Sequence, residues 1–456
     1  VHPPSIDRLA RAHAGSGLPH PTLVGLARRV VAEVPADQVE GVLDSAVAKR
    51  VALEAREVIN GTGVLLHTNL GRSPVSASGN DRYTNLEFSL ADGGRGPRAA
   101  AVTDLATMLT GAEAALVVNN CAAAVMLALA TLANERGVIV SRGELVEIGG
   151  GFRVPDVLAQ SGATLVEVGT TNRTNVGDLV AALEPNGGAA DPPVAMVLKV
   201  HQSNYRIIGF TESVSVAQAR EAAPDEVVVM ADLGSGLLDA RCQWLPGGPP
   251  SWLGDEPGVA QVLADGADLV AVSGDKLMGG PQAGLLVGRA DLVDRCARHP
   301  LMRAVRCGGG TLRMLERTLT AYANRDLDGL PFWSLATTTC DALRQRGASI
   351  LTQLPNDRSV EMIDTVATTG GGTLPGADIA SVGLALPGDR VAALRASEPP
   401  VIARAAEGTT VIDLRTVFFR PGRSCYGCAG PAARPHAGMN AGNRTTTASG
   451  TGPDTP

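Results

Sequence analysis

Seven short, almost continuous apolar runs punctuate the middle of this chain: Ala114–Val118, Val138–Ser141, Thr164–Val168, Val194–Lys199, Val227–Asp232, Asp268–Val272 and Leu285–Val287. Runs of this length read as buried strands. Between most of them the apolar residues shift to helical spacing, as in Ala122–Ala133 and Val154–Ser161, and a helix over Val102–Leu109 precedes the first run. Strands alternating with crossover helices predict an α/β fold, a doubly wound and mostly parallel seven-stranded sheet. In such a sheet ligands bind beyond the carboxyl ends of the strands.

The flanks follow other patterns. Ser5-Ile6-Asp7-Arg8-Leu9 offers a cap and an amphipathic turn. Leu23, Leu26, Ala27, Val30 and Val31 then repeat at helical spacing, and Pro35 and Asp37 open another helix through Val39, Val42, Leu43 and Val47. This predicts a separate helical domain over residues 1–55 and a large domain over 56–323. Val58–Pro74 sets glycines, Asn, Thr, His and Arg around a short apolar run and reads as a loop–strand–loop segment approaching a site, because glycine permits close backbone approach. Asp92–Arg98 is a second glycine–arginine loop. A helix over Thr311–Ala323 leads into a small α+β domain at 324–417, with strands expected at Met362–Val366, Ser381–Leu386 and Thr410–Leu414 and a loop at Gly370–Gly376. From Phe418 to Pro456 the periodicity is lost in Gly, Pro, Ala and Thr, which reads as a disordered tail. Its lone CxxC, Cys425 and Cys428, is weak support for zinc or redox work.

Composition narrows the function class. At 456 residues the chain is long enough for several domains, and its net charge of −7 argues against coating nucleic acid by bulk charge. Residues 1–55 carry six basic and six acidic side chains. Seven scattered cysteines suit a reducing cytoplasm. Val1–Ser5 lacks the charged start of a signal peptide, and no apolar run approaches the roughly 20 residues of a membrane span. The expectation is a cytoplasmic protein.

The residues after each strand are then the candidates for chemistry. Asn119-Asn120-Cys121-Ala122 opens a helix, and a helix N-terminus with exposed amides binds anions; the same residues also make an ordinary cap. Asp232 ends the fifth run. Lys276 follows the sixth, in the loop Ser273–Gly284, where it is either a solvated loop lysine or, partly desolvated, a Schiff-base nucleophile. Pyridoxal phosphate needs a lysine for its aldehyde, a carboxylate opposite its ring nitrogen and an anion cradle for its phosphate. Lys276, Asp232 and Asn120–Ala122 supply all three in the order such a sheet requires. Arg303 and Arg306 would share a face if their segment is helical, and paired guanidinium groups suit a multiply charged anion. No P-loop and no His or Cys cluster at metal-ligand spacing is present, so no metal site is expected.

From Ser5 to Val417 the chain resembles the bacterial selenocysteine synthases, the L-seryl-tRNA(Sec) selenium transferases, which are fold-type-I pyridoxal phosphate enzymes. The resemblance is carried by Ile59–Arg72, Val140–Gly150, Gly169–Thr174, Lys199–Phe210, Asp232–Gly236, Ser273–Gly284 and Asp413–Val417. It implies that Lys276 carries the cofactor, that Asp232 pairs with its ring nitrogen, and that Asn119, Asn120, Cys121, Ala122 and Ser273 help to bind it. It implies that Arg303 and Arg306, joined by Arg72, hold the anionic selenium donor, and that Asp275 is a candidate for proton transfer. The implied reaction converts seryl-tRNA(Sec) to selenocysteinyl-tRNA(Sec) with selenophosphate, through a dehydroalanyl (aminoacrylyl) intermediate, for selenoprotein biosynthesis. The resemblance also implies a homo-oligomer built from dimers, a homodecamer, with the N-terminal domain gripping the tRNA. Cys307-Gly308-Gly309-Gly310 departs from the family's pattern, and so does the chain beyond Val417. Two rival readings are a pyridoxal phosphate lyase acting on small amines and a non-catalytic tRNA-binding relative.

Overall fold

The seven apolar runs pair into one sheet. In the computed structural model, which describes residues 5–75, 83–148, 151–184, 192–354 and 359–418, they are β1 (Ala114–Val118), β2 (Gly137–Ser141), β3 (Thr164–Val168), β4 (Val194–Val200), β5 (Val228–Leu233), β6 (Leu269–Ser273) and β7 (Gly284–Gly288). Their order is β1-β7-β6-β5-β4-β2-β3. From β6 to β3 every pair is parallel, whereas β7 runs antiparallel to both of its neighbours. The reason is the connection. Residues 274–283 are too few to carry a crossover helix, so the chain must turn back.

Side chains of the sheet alternate between two cores, as the two-residue period of a strand requires. Val117, Val270, Val272, Leu285 and Val287 pack on one face, with Leu312, Leu315 and Leu319 of the helix Gly309–Asn324. Val118, Leu269, Ala271 and Leu286 pack on the other, with Leu127 and Ala128 of the helix Cys121–Leu132. Covering helices on both faces explain why these strands are apolar throughout.

The N-terminal helices Ile6–Ala12, His20–Glu33 and Val39–Ala52 enclose a core of their own, built from Leu9, Leu23, Leu26, Val30, Val39, Leu43 and Val47. Toward the C-terminus, β8 (Glu361–Thr368), β9 (Asp378–Pro387), β10 (Arg404–Ala406) and β11 (Thr409–Asp413) form an antiparallel sheet in the order β8-β9-β11-β10. The three strands expected there lie within β8, β9 and β11, except that Leu414 already starts a 3₁₀ turn. The short edge strand β10 has too little periodicity to be read from sequence.

Two expectations need correction. The apolar run Val64–Leu66 is not a strand. The strand of that segment is Ile59–Asn60, paired in parallel with Val401–Ile402. Leu65 and Leu66 are instead buried in the large core, and their N–H groups donate to Thr368 and Thr369 carbonyls at 3.0 and 2.7 Å. The segment therefore ties the C-terminal sheet to the large one. Second, Arg303 and Arg306 share no helix face. The helix Leu301–Ala304 ends between them, and Arg306 forms a bridge with Val118. The N–H of Asn119 donates to the Val305 carbonyl at 2.9 Å, and this pulls the chain into extended alignment with the end of β1. The departure that follows is well packed. Cys307 is buried, its thiol donates to the Val118 carbonyl at 3.0 Å, and the next helix starts at Gly309.

The tail from residue 419, with Cys425 and Cys428, lies outside the described residues. No helix among the described residues is long and apolar enough to cross a membrane.

Candidate active site

Lys276 sits in the tight link between β6 and β7, only 6% exposed. The link is held by hydrogen bonds from Gly274 N–H to the Ala283 carbonyl and from Gly280 N–H to the Gly274 carbonyl, both 2.8 Å. Burial pushes the amine's pKa below the ordinary 10.5, and the charge of Arg72 acts in the same direction. Two glycines make room for its stem. A Cβ on Gly234 would lie 3.6 Å from Nζ, and one on Gly372 would lie 3.3 Å from Cε. Gly372 belongs to the loop between β8 and β9, so the C-terminal sheet contributes a wall of the lysine's site.

Asp232, near the end of β5, is 5% exposed. Burial raises its carboxyl above the usual 3.8, opposed by the Cys121 hydrogen bond and the charge of Lys276. The Cys121 thiol donates to Oδ1 at 3.3 Å. Beside Asp232, the His201 N–H donates to its carbonyl at 3.0 Å, and the His201 ring lies 3.0 Å from the buried carboxylate of Glu256. The Ser235 hydroxyl is buried without a partner, and its carbonyl accepts from Leu277 N–H at 2.9 Å.

The helix Cys121–Leu132 starts at the end of β1. Asn120 is its cap, and its side chain accepts from Ala123 N–H at 2.8 Å. Its carbonyl takes the Ala124 N–H at 3.2 Å. The N–H groups of Cys121 and Ala122 remain, and such amides with the helix dipole suit a phosphate.

Arg72 and Asp275 form the site's ion pair, Nη1 to Oδ2 at 2.6 Å. Asp275 is 4% exposed, and its other oxygen accepts from Ser273 Oγ at 2.7 Å. The main chain reinforces the pair, with Ser73 N–H donating to the Asp275 carbonyl at 3.2 Å.

The structure thus gathers Lys276, Asp232, Cys121, Ser273, Asp275 and Arg72. Arg303 is exposed on its short helix. Arg306 faces a cavity of about 360 Å³ with Arg95, Arg98 and Glu87, its Nη1 3.7 Å from Glu87 Oε1. Glu87 also binds Arg98 at 2.6 Å and Arg95 at 3.0 Å. Glu87, Glu256 and Gly372 were not legible as site neighbours, because each arrives from a distant segment. The glycine run Gly370–Gly372 was the one visible sign.

The residues present fit pyridoxal phosphate. A buried amine of lowered pKa stands beside a buried carboxylate, with an unpartnered buried hydroxyl and two spare helix amides near them. That donor set matches an aldehyde, a ring nitrogen and a phosphate.

Known proteins resemble this chain over most of its length. Residues 58–418 match the family model for L-seryl-tRNA selenium transferase. The L-seryl-tRNA(Sec) selenium transferase of Moorella thermoacetica is 45% identical over 384 residues, covering 80% of this chain and 78% of that relative. That of Geobacter sulfurreducens is 41% identical over 457 residues, covering 91% of this chain and 95% of the relative. Among solved structures, a D-glucosaminate-6-phosphate ammonia-lyase covers 82% of this chain and 94% of its own, with a TM-score of 0.53 at 20% identity, which shows a shared fold. The architecture is the fold-type-I one. By the extent of the family match and the identity of these relatives, the chain belongs to the L-seryl-tRNA selenium transferase family.

Proposed function

We propose that this chain converts L-seryl-tRNA(Sec) to L-selenocysteinyl-tRNA(Sec), with selenophosphate as donor and pyridoxal phosphate as cofactor. The observation that carries the reading is the buried Lys276 amine beside the buried Asp232 carboxylate, at the ends of adjacent parallel strands. Lys276, Asp232, Ser273 and the helix start Asn119–Ala122 would hold the cofactor. When bound, it supplies an electron sink for the charge left at the seryl α-carbon.

The protein's own groups do the rest. The depressed pKa of Lys276 leaves more of its Nζ neutral near pH 7, so it can accept the α-proton and return a proton to the departing hydroxyl. Asp232 keeps a proton on the ring nitrogen by offering a carboxylate in a dry setting. Asp275 holds Arg72 beside the lysine loop, where its guanidinium can orient a small anion. Arg303 and Arg306 complete donor binding, and for Arg306 this requires exchange of its contact with Glu87. We assign tRNA contacts to the helical domain 1–55, the cofactor to 56–323 and the site's lid wall to 324–417. The working protein is a cytoplasmic homo-oligomer built from dimers.

Incubation with seryl-tRNA(Sec) and selenophosphate is the direct test. Formation of selenocysteinyl-tRNA(Sec) is the expected result. Turnover of free small amines only would replace this reading with a lyase.

A further inference from the structure

The helix Cys121–Leu132 starts after β1, yet its first side chain reaches Asp232 on β5, across the ends of the two intervening strands, β7 and β6. Gly284, the first residue of β7, makes that crossing possible. A Cβ there would lie 2.1 Å from the Asn120 carbonyl oxygen and 2.8 Å from the Cys121 nitrogen. The thiol that arrives is the only side-chain donor to Asp232 among the described residues. The second carboxylate oxygen, Oδ2, takes no hydrogen bond among the described residues, and unlike Ser235 Oγ it is not closed off from open space. A carboxylate oxygen left open and without a protein donor is available to a cationic N–H from outside the protein.

We infer that the Cys121 thiol is a positioning residue for Asp232: it occupies Oδ1, fixes the carboxylate's rotation and presents Oδ2 to the cofactor's protonated ring nitrogen. This rests on the cofactor reading above. The carboxyl torsion is intrinsically broad and two-fold, so a single donor decides which oxygen faces the site. A thiol is a weak donor. The competing account is that Cys121 merely fills space as a small apolar residue.

A double-mutant cycle on the full-length chain separates the two. Pyridoxal phosphate affinity is measured by titration of visible absorbance for Cys121→Ala, Cys121→Ser, Asp232→Asn and Cys121→Ala in the Asp232→Asn background. Loss of one weak donor to a charged group should make Cys121→Ala bind about three- to tenfold more weakly. The serine variant should stay within about twofold, and the alanine change should add less than about twofold once Asp232 is asparagine. Equal losses in both backgrounds, or no loss in the first, overturn the inference. A second measurement does not depend on the cofactor: alkylation of Cys121 by iodoacetamide at pH 8, followed by peptide mass spectrometry. The rate should rise several-fold in Asp232→Asn, because the carboxylate's charge no longer opposes the thiolate; unchanged rates overturn the contact. A wild-type chain that takes up no pyridoxal phosphate sinks the cofactor reading instead, and the alkylation result still decides the Cys121–Asp232 pair.

Discussion

At the scale of the residue, burial decides what Lys276 can do. A loop lysine in water is protonated and inert as a nucleophile, whereas desolvation favours the free amine. Lys276→Ala is therefore expected to abolish the visible absorbance that pyridoxal phosphate gives on loading, as read in a simple spectrum. The pH dependence of loading has a definite sign. Only the neutral amine attacks an aldehyde, so the rate rises with pH through the amine's pKa and then levels off. Because that pKa is lowered from 10.5, the midpoint of the rise should lie below pH 10.5. A stopped-flow series whose midpoint lay at or above 10.5 would contradict the burial argument.

At the scale of the element, the site depends on how the helix Cys121–Leu132 is seated. Asn120 caps it with a side-chain bond to Ala123 N–H, and removing such a cap by Asn120→Ala should cost about 1 kcal/mol. Gly284→Ala is expected to cost more, about 3 kcal/mol by overpacking, because its Cβ would meet backbone rather than a movable side chain. Urea unfolding of the two variants should show this order, and cofactor affinity should fall further for Gly284→Ala, since the helix start is displaced. Periodicity foretold the helix and strands within a residue or two. It misjudged Arg303 and Arg306 because four residues of helix, Leu301–Ala304, end where Val305 and Arg306 are captured by Asn119 and Val118. A helical spacing rule has no term for a neighbouring strand end.

At the scale of the whole molecule, distant segments meet at one end of the sheet. The loop between β8 and β9 lays Gly372 along the stem of Lys276, and Gly63 packs against Asp413, where a Cβ would lie 2.7 Å from Oδ2. The N-terminal helices, by contrast, close a core among themselves. Their removal should therefore leave the cofactor's absorbance intact while weakening tRNA binding, measured by filter binding or gel shift with seryl-tRNA(Sec). Equal tRNA affinity in a chain lacking residues 1–55 would remove the role proposed for them.

The sequence by itself determined the sheet's strands, the position of Lys276 and Asp232 at strand ends, and the helix start that faces them. It could do so because strand and helix periods are local, and because the carboxyl ends of parallel strands must lie along one edge. Long runs such as Ile59–Arg72 and Ser273–Gly284 also carried the family resemblance. Only the tertiary structure decided that Cys121 donates to Asp232. It also showed that Asp275 is spent on Arg72 and Ser273, and that Glu87 holds Arg98 and Arg306. The Cys121–Asp232, Arg72–Asp275 and Glu87–Arg306 contacts join residues far apart in the chain, and the choice of partner depends on packing angles and side-chain reach, which no spacing along the sequence encodes.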